Sequence, residues 1–352
     1  MAMDTSDDSL GQVPLMGSDG LWSRASASGG RIDAFAKFVH RPTKREIPVA
    51  IEFSRPLGER HLQNELAAFS LCRDRVTCGI SAGLPEVYCG RIQALMPVLL
   101  PYFQTAELDG NFDVSLGDEG LCARVLSFCS IIPDFLIPDP YFVVSNGYAN
   151  ERDVYAQIPW RERRDQLYWR GTDTGAWRYR GLPDAPRVAL CLLAKACPEL
   201  IDAKITQVEP TANEAEKRTF YEMHGLLGPW QDQSEILNYR YQIDIDGNTS
   251  TWSGFFLKLL TGSPVLKVES ECCWRQWYYD RLKPGEHYVP VRADLADLME
   301  KLQWLRANPV GAQSIGQAGR DFALSMDYAS EVQRAITTVD KLVMLNRKVA
   351  FG

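Results

Sequence analysis

The chain has 352 residues, enough for two domains each with its own core. Its apolar fraction of 45% and charged fraction of 24% are those of a globular protein and exclude a disordered one. A formal net charge of -7 argues against a nucleic-acid binder, which needs a basic face, and favours small-molecule or carbohydrate chemistry.

The first stretch, residues 1–22, is rich in Asp, Ser and Gly and reads as a mobile tail, with no basic and apolar leader pattern. No window approaches the roughly 18 apolar residues of a membrane span. Nine cysteines, an odd number without a convincing Cys-x-x-Cys pair, read as free thiols of a reducing compartment. "DAFAKFVH" and "REIPVAIEFSR" read as strands, "ERHLQNELAAFSLCRDRV" as a helix and "ALMPVLLPYF" as a buried strand. Further on come two Pro-Asp turns and a strand from Tyr141 to Val144, with prolines at 133, 138 and 140 forbidding a continuous helix.

A charged break near residue 160 marks the crossing to a second half that alternates strand and helix. "QLYWRGTD", "IDAKITQ", "ILNYRYQIDIDG", "SPVLKVE" and "HYVPV" are its strands. "APRVALCLLAKACP", "GFFLKLLTG" and "DLADLMEKLQWLRAN" are its helices, and "YASEVQRAITTVDKLVMLNRK" is a long final one. That alternation predicts parallel β-α units in a doubly wound sheet, whose ligands bind beyond the C-terminal strand ends.

Three loops therefore draw attention. In "YQIDIDGNTSTWSG", Asp244 and Asp246 share a strand face. An Asp-x-Asp pair can hold a diphosphate through a divalent ion, but the spacing alone favours the plainer reading of Asp244 as a hydrogen-bonded strand residue and Asp246 as a turn residue. Gly247, Thr249, Ser250, Thr251, Trp252, Ser253 and Gly254 then lead into a helix, where backbone N–H groups and hydroxyls can meet phosphate or simply cap the helix. "YWRGTDTGAW" repeats the design with Arg170, Thr172 and Thr174, and Arg187 opens the next helix. A guanidinium fork there matches pyrophosphate oxygens; an ion pair with Asp173 or Asp184 is the alternative. The four histidines have no ligand spacing, so zinc is not expected. "RERR" at 161–164 reads as a solvated charge run that could also lean on an anionic lipid or glycan.

"LYWRGTDTG", "YRYQIDIDGNTSTWSGFFLKLLTGSPVLK", "WYYDRLKPGEHYVPV" and "DLADLMEKLQWLRAN", in that order, resemble glycosyltransferase family 90, the capsule-associated and lipopolysaccharide-modifying type related to protein O-glucosyltransferases. The resemblance implies an α/β fold of GT-B architecture, two Rossmann-like domains facing across a cleft. Residues 23–160 would form the acceptor-side domain, 161–328 the nucleotide-sugar domain, and 329–352 a helix packing back on the first. It implies inverting transfer of glucose or xylose from a UDP-sugar to a surface glycan or glycolipid, in a cytoplasmic enzyme that can touch the membrane periphery. The donor site would draw on Arg170, Thr172, Thr174, Arg187, the 246–254 segment and Lys258, with no cofactor and no metal.

In the family a Pro-Asp before an extended segment supplies the catalytic base, which puts that role on Asp139, with Asp134 as competitor. Eukaryotic members carry an arginine where this chain has Gly254, so Lys258, Arg170 or backbone N–H groups would replace it. The short stretch before "WRGT" argues against a protein acceptor. The alternatives are a non-catalytic nucleotide-sugar-binding protein and a protein O-glycosyltransferase. A Rossmann oxidoreductase would need Gly-x-Gly-x-x-Gly after its first strand, which is absent.

Overall fold

The computed structural model describes residues 22–28, 31–37, 46–54, 65–72, 75–81, 86–105, 109–155, 158–179 and 181–351. The expected tail, except Trp22, lies outside them. The chain divides into two compact units, Met1–Val144 with Ala329–Gly352, and Ser145–Tyr328. The division thus falls at residue 145, ahead of the charged break near 160.

Among the described residues the first unit holds seven strands: β1 Trp22–Ser28, β2 Arg31–Lys37, β3 Glu46–Ser54, β4 Leu66–Cys72, β5 Arg75–Ser81, β6 Gly110–Ser115 and β7 Val125–Leu126. Their order is β1-β2-β3-β5-β4-β6-β7. Four of the six neighbouring pairs are antiparallel, where a Rossmann-like order would make them parallel. The connections explain this. β4 ends at Cys72 and β5 starts at Arg75, which leaves room for a hairpin and none for a crossover helix.

Two segments reverse the sequence reading. Leu66–Cys72 is a strand and not part of a helix, because its burial has period two: Ala67, Phe69 and Leu71 are buried while Ala68 and Ser70 are exposed. Phe69 stacks on Phe112 of β6, its register partner, with ring centroids 5.2 Å apart. Conversely "ALMPVLLPYF" lies within helix α1, Glu86–Thr105. Leu95, Met96, Val98, Leu99 and Leu100 are all buried, so the helix is apolar nearly all round, a pattern that cannot be told from a buried strand in a short window. Pro97 and Pro101, four residues apart, fall on one stripe of it.

The expected strand at 141–144 is also helical: α2 spans Pro140–Val144. Its start follows from Asp139-Pro140, a capping carboxylate followed by a proline at the first helical position.

The second unit matches its alternating pattern. Here α3 is Ala149–Val154, β8 Arg164–Thr172, α4 Pro186–Ala196, β9 Ile201–Gln207, α5 Glu214–His224, β10 Tyr239–Asp244 and α6 Ser253–Leu260. Then come β11 Val265–Val268, β12 Val289–Val291, α7 Leu298–Ala307 and α8 Pro309–Ser325, before α9, Tyr328–Phe351. All four strand pairs are parallel, in the order β12-β11-β10-β8-β9, which gives the α/β fold class its doubly wound sheet. Leu167, Trp169, Tyr241, Ile243 and Leu266 point to one face and form the core with Val188, Leu190, Leu298 and Leu302. The alternate residues Tyr168, Arg170, Gln242, Asp244 and Lys267 fall on the other face, which is therefore polar in its middle. The chain turns to β9 on one side of β8 and to β10 on the other, so the switch point lies between β8 and β10.

Candidate active site

At the switch point one side chain ties the two strand ends together. Arg187, in the first turn of α4, donates from Nε to the Asp246 carbonyl (2.9 Å) and from Nη2 to that of Ile245 (3.0 Å). Its Nη1 donates to the Thr172 carbonyl (2.8 Å) and to Thr174 Oγ1 (2.6 Å). Four of five guanidinium donors are thus engaged within the protein. The expected pyrophosphate arm is a clasp between the 172–174 and 245–247 loops, and it pairs with neither Asp173 nor Asp184. Gly247 is required by this approach, since a Cβ there would lie 2.7 Å from Arg187 Nη2. Asn248 extends the clasp: its Oδ1 accepts from the Gly175 amide (2.9 Å), and its Nδ2 donates to Glu209 (3.1 Å).

The Asp-x-Asp pair is neutralised by lysines. Asp244 is fully buried, and its Oδ1 accepts from Thr251 Oγ1 (2.7 Å) and from Lys258 Nζ (2.8 Å). Lys267 Nζ lies 2.8 Å from Asp244 Oδ2 and 2.9 Å from Asp246 Oδ1. Burial alone would raise the Asp244 carboxyl, but the two lysines outweigh it and hold it well below the usual carboxylate range. Burial would lower Lys267, and the two aspartates outweigh that, holding its ammonium well above the usual range. Lys258 is pulled down by burial, against the attraction of Asp244. The Lys267 ammonium thus bridges the two carboxylates, and Lys258 adds a second positive charge at Asp244. Among the described residues no group of three or more His, Cys, Asp or Glu side chains could hold a metal.

The loop before α6 is built differently from a hydroxyl cradle. Thr249 and Ser250 are buried, and Thr251 is bound to Asp244. Gln276 holds the loop from behind, donating to Ser250 Oγ (2.9 Å) and to the Trp252 carbonyl (3.0 Å). Trp252, at the cap position of α6, adopts φ 48°, a left-handed value costly for a bulky residue and typical of constrained ligand sites. Ser253 opens the helix without a side-chain cap from residue 252. The Lys258 ammonium comes within 3.5 Å of where a Gly254 side chain would start, so a positive charge stands beside the helix N-terminus despite the missing arginine.

Around these loops the expected donor residues fall into two groups. Arg170, Thr172, Gly254 and Lys258 line a cavity of about 390 Å³ on the polar sheet face, lined also by residues of the 230–236 segment. Thr174, Arg187, Asp246 and Gly247 line a separate, narrow recess of about 30 Å³, too small for a nucleotide. Arg170 is itself held, with Nη2 2.6 Å from Asp202 Oδ1 and its plane 4.8 Å from the Tyr168 ring. Trp230 lines the larger cavity and is 76% exposed, a large ring left open at its mouth. Sequence reading missed Trp230, Gln242, Lys267 and Gln276. Only the tryptophan gave a signal, as a lone aromatic in the polar run "GPWQDQ".

In the first unit, Asp139 is fully buried, and its Oδ1 accepts from the amides of Tyr141 (2.9 Å) and Phe142 (3.1 Å). It is the cap of α2 and is buried, where the sequence reading places an accessible base. Asp134 is exposed in a short 3-10 turn. Asp118, passed over in the sequence, follows the C-terminal end of β6. Its side chain is 42% exposed and pairs with Arg91 Nη2 at 2.8 Å. The signal for it was an acid between glycines, "GDEG", directly after a strand.

The sequence model of glycosyl transferase family 90 matches residues 147–338, more than half of the chain. The chain belongs to this family. The family 90 match covers the β8, α4, β10 and α6 segments described above. Protein O-glucosyltransferase 1 of Bos taurus is 33% identical over 174 residues, 48% of this chain and 39% of that protein. Protein O-glucosyltransferase 3 of Mus musculus is 29% identical over 238 residues, 60% of this chain and 42% of that protein. The family 90 chain thus spans less than half the length of the curated relatives it matches. Among solved structures, Anabaena HepE in complex with UDP-glucose aligns with a TM-score of 0.38 and 11% identity, over 54% of this chain and 55% of that one.

Proposed function

We propose that the protein is an inverting glycosyltransferase that moves a sugar, glucose first and xylose second, from a UDP-sugar to a hydroxyl of a surface glycan or glycolipid. The observation that carries the reading is the cavity of about 390 Å³ beside the switch point of the parallel sheet, with Gly254 and Lys258 at its α6 end. A site of this size suits a nucleotide sugar, and a helix start with a lysine beside it suits a diphosphate. The glucose preference is supported by the names of the relatives, protein O-glucosyltransferases.

In this reading the diphosphate charge is met by Lys258 and the α6 dipole, and no metal is required, since Asp244 and Asp246 already hold lysines. The tight Asp244–Lys258 pair positions the ammonium for that task. Inversion needs one carboxylate to take the acceptor proton as its oxygen attacks the anomeric carbon. In the first unit two solvent-accessible acids are candidates for this, Asp118, which pairs with Arg91, and Asp134. The enzyme would work in the cytoplasm or against the membrane surface; among the described residues no helix is long and apolar enough to cross a membrane.

Thermal-shift screening against UDP-, GDP-, CMP- and dTDP-sugars tests the donor class. A ligand at a hundred times its dissociation constant should stabilise the fold by about 2.7 kcal/mol. Stabilisation by UDP-sugars is expected; a response confined to another nucleotide class contradicts the reading.

A further inference from the structure

Two residues that line the large cavity each carry a buried polar atom without a hydrogen-bond partner among the described residues: Gln242 Oε1 and Arg170 Nε. The orientation of the Gln242 amide is fixed. Its Nε2 donates to the Ile236 carbonyl (2.7 Å) and to that of Tyr239 (3.3 Å), and a flipped amide would set oxygen against both carbonyl oxygens. Its Oε1 is therefore a rigid acceptor on a fully buried side chain. Arg170 is equally fixed, with Nη1 bonded to the carbonyls of Trp169 (2.9 Å) and Asp202 (3.0 Å) and Nη2 to the Asp202 carboxylate. Its Nε–H is the donor left over. A buried polar group without a partner is costly to a fold, so a cavity whose lining residues keep two of opposite kind has the makings of a site completed by a ligand.

We propose that Gln242 and Arg170 read the edge of the donor's base and select a pyrimidine-2,4-dione, uracil, over cytosine. The inference rests on the donor reading above. Uracil presents N3–H between two carbonyls: Gln242 Oε1 accepts that hydrogen, and Arg170 Nε–H donates to a flanking oxygen. Cytosine presents a bare N3 lone pair at the same place, which would face the Gln242 oxygen. Guanine carries a similar edge on a larger ring system, so the comparison with CDP, not GDP, isolates the edge.

Titration calorimetry of the full chain with UDP, N3-methyl-UDP and CDP tests this. The wild type should prefer UDP over both others by roughly tenfold or more, the size of one buried hydrogen bond. Gln242→Leu should bring the three ligands within about threefold of one another, and Gln242→Met repeats the test at a closer volume match. Equal binding of UDP and N3-methyl-UDP by the wild type, or full preference kept in a folded Gln242→Leu, overturns the inference and leaves the donor reading standing. If neither variant folds, the N3-methyl comparison on the wild type decides. A wild type that binds no nucleotide overturns both.

Discussion

Lys267 stands between Asp244 and Asp246, 2.8 Å from one carboxylate and 2.9 Å from the other, with its side chain almost wholly buried. The arrangement turns a sequence pattern associated with metal-held diphosphates into an internal ion network. Sugar transfer should therefore persist in EDTA at the rate measured with added manganese or magnesium. Loss of activity in EDTA, restored by manganese, would return the acid pair to a metal-binding role.

The same network gives the fold an acid-sensitive element. The Asp244 carboxyl is held below its ordinary value in the folded protein, so its contribution is full above the unfolded carboxylate range, near pH 4, and is lost as the pH falls below it. Lys267→Met removes one partner of a buried ion network and should destabilise by about 3 kcal/mol at pH 7. Urea unfolding at pH 7 and pH 3 should show the gap between variant and wild type narrowing at the lower pH. A gap that stays constant would mean that the Lys267 pairing does not depress the Asp244 carboxyl.

Arg187→Ala should act on stability first. It leaves the carbonyls of Thr172, Ile245 and Asp246 without their donor, and several charge-assisted bonds together contribute about 3 to 5 kcal/mol. Arg187→Lys should recover little of this, because an ammonium cannot reach both loops with a planar fork. Chemical denaturation measures both variants. Unchanged stability with a collapse in UDP affinity would restore the sequence reading of Arg187 as a phosphate ligand.

For the acids of the first unit the roles separate in two assays. Asp118→Asn should lower transfer by roughly a hundredfold to ten-thousandfold and leave UDP-sugar affinity nearly unchanged, as for loss of a general base. Asp139→Asn should lower stability by about 1 kcal/mol through its cap and have the smaller effect on turnover. The reverse pattern would return the base to Asp139 and require α2 to open.

The second unit was legible because its physics is local. Buried parallel strands read as apolar runs, each followed by a helix with a 3.6-residue pattern, and the loops at the switch point could be found by counting elements. The first unit was not, for two reasons visible in single segments. α1 is apolar nearly all round and carries two prolines, so it mimics a buried strand. β4 carries an alanine pair, Ala67-Ala68, whose in-and-out alternation hydropathy cannot register. At the site, the sequence located Arg187, Asp244 and the 247–254 loop but not their partners. Whether a guanidinium faces a ligand or three carbonyls is decided by how two distant loops approach, and spacing along the chain carries no record of that.

The central claim, that the donor occupies the cavity beside the β8–β10 switch point, is tested most directly by filling that cavity. Thr172, at the end of β8, lines it and is half-buried, so Thr172→Trp should occupy the space with an indole ring. Calorimetric titration with UDP-glucose in EDTA should show binding to the wild type and none to Thr172→Trp, with the two proteins melting within a few degrees of each other. Undiminished UDP-glucose binding by the folded Thr172→Trp protein would contradict the placement of the donor.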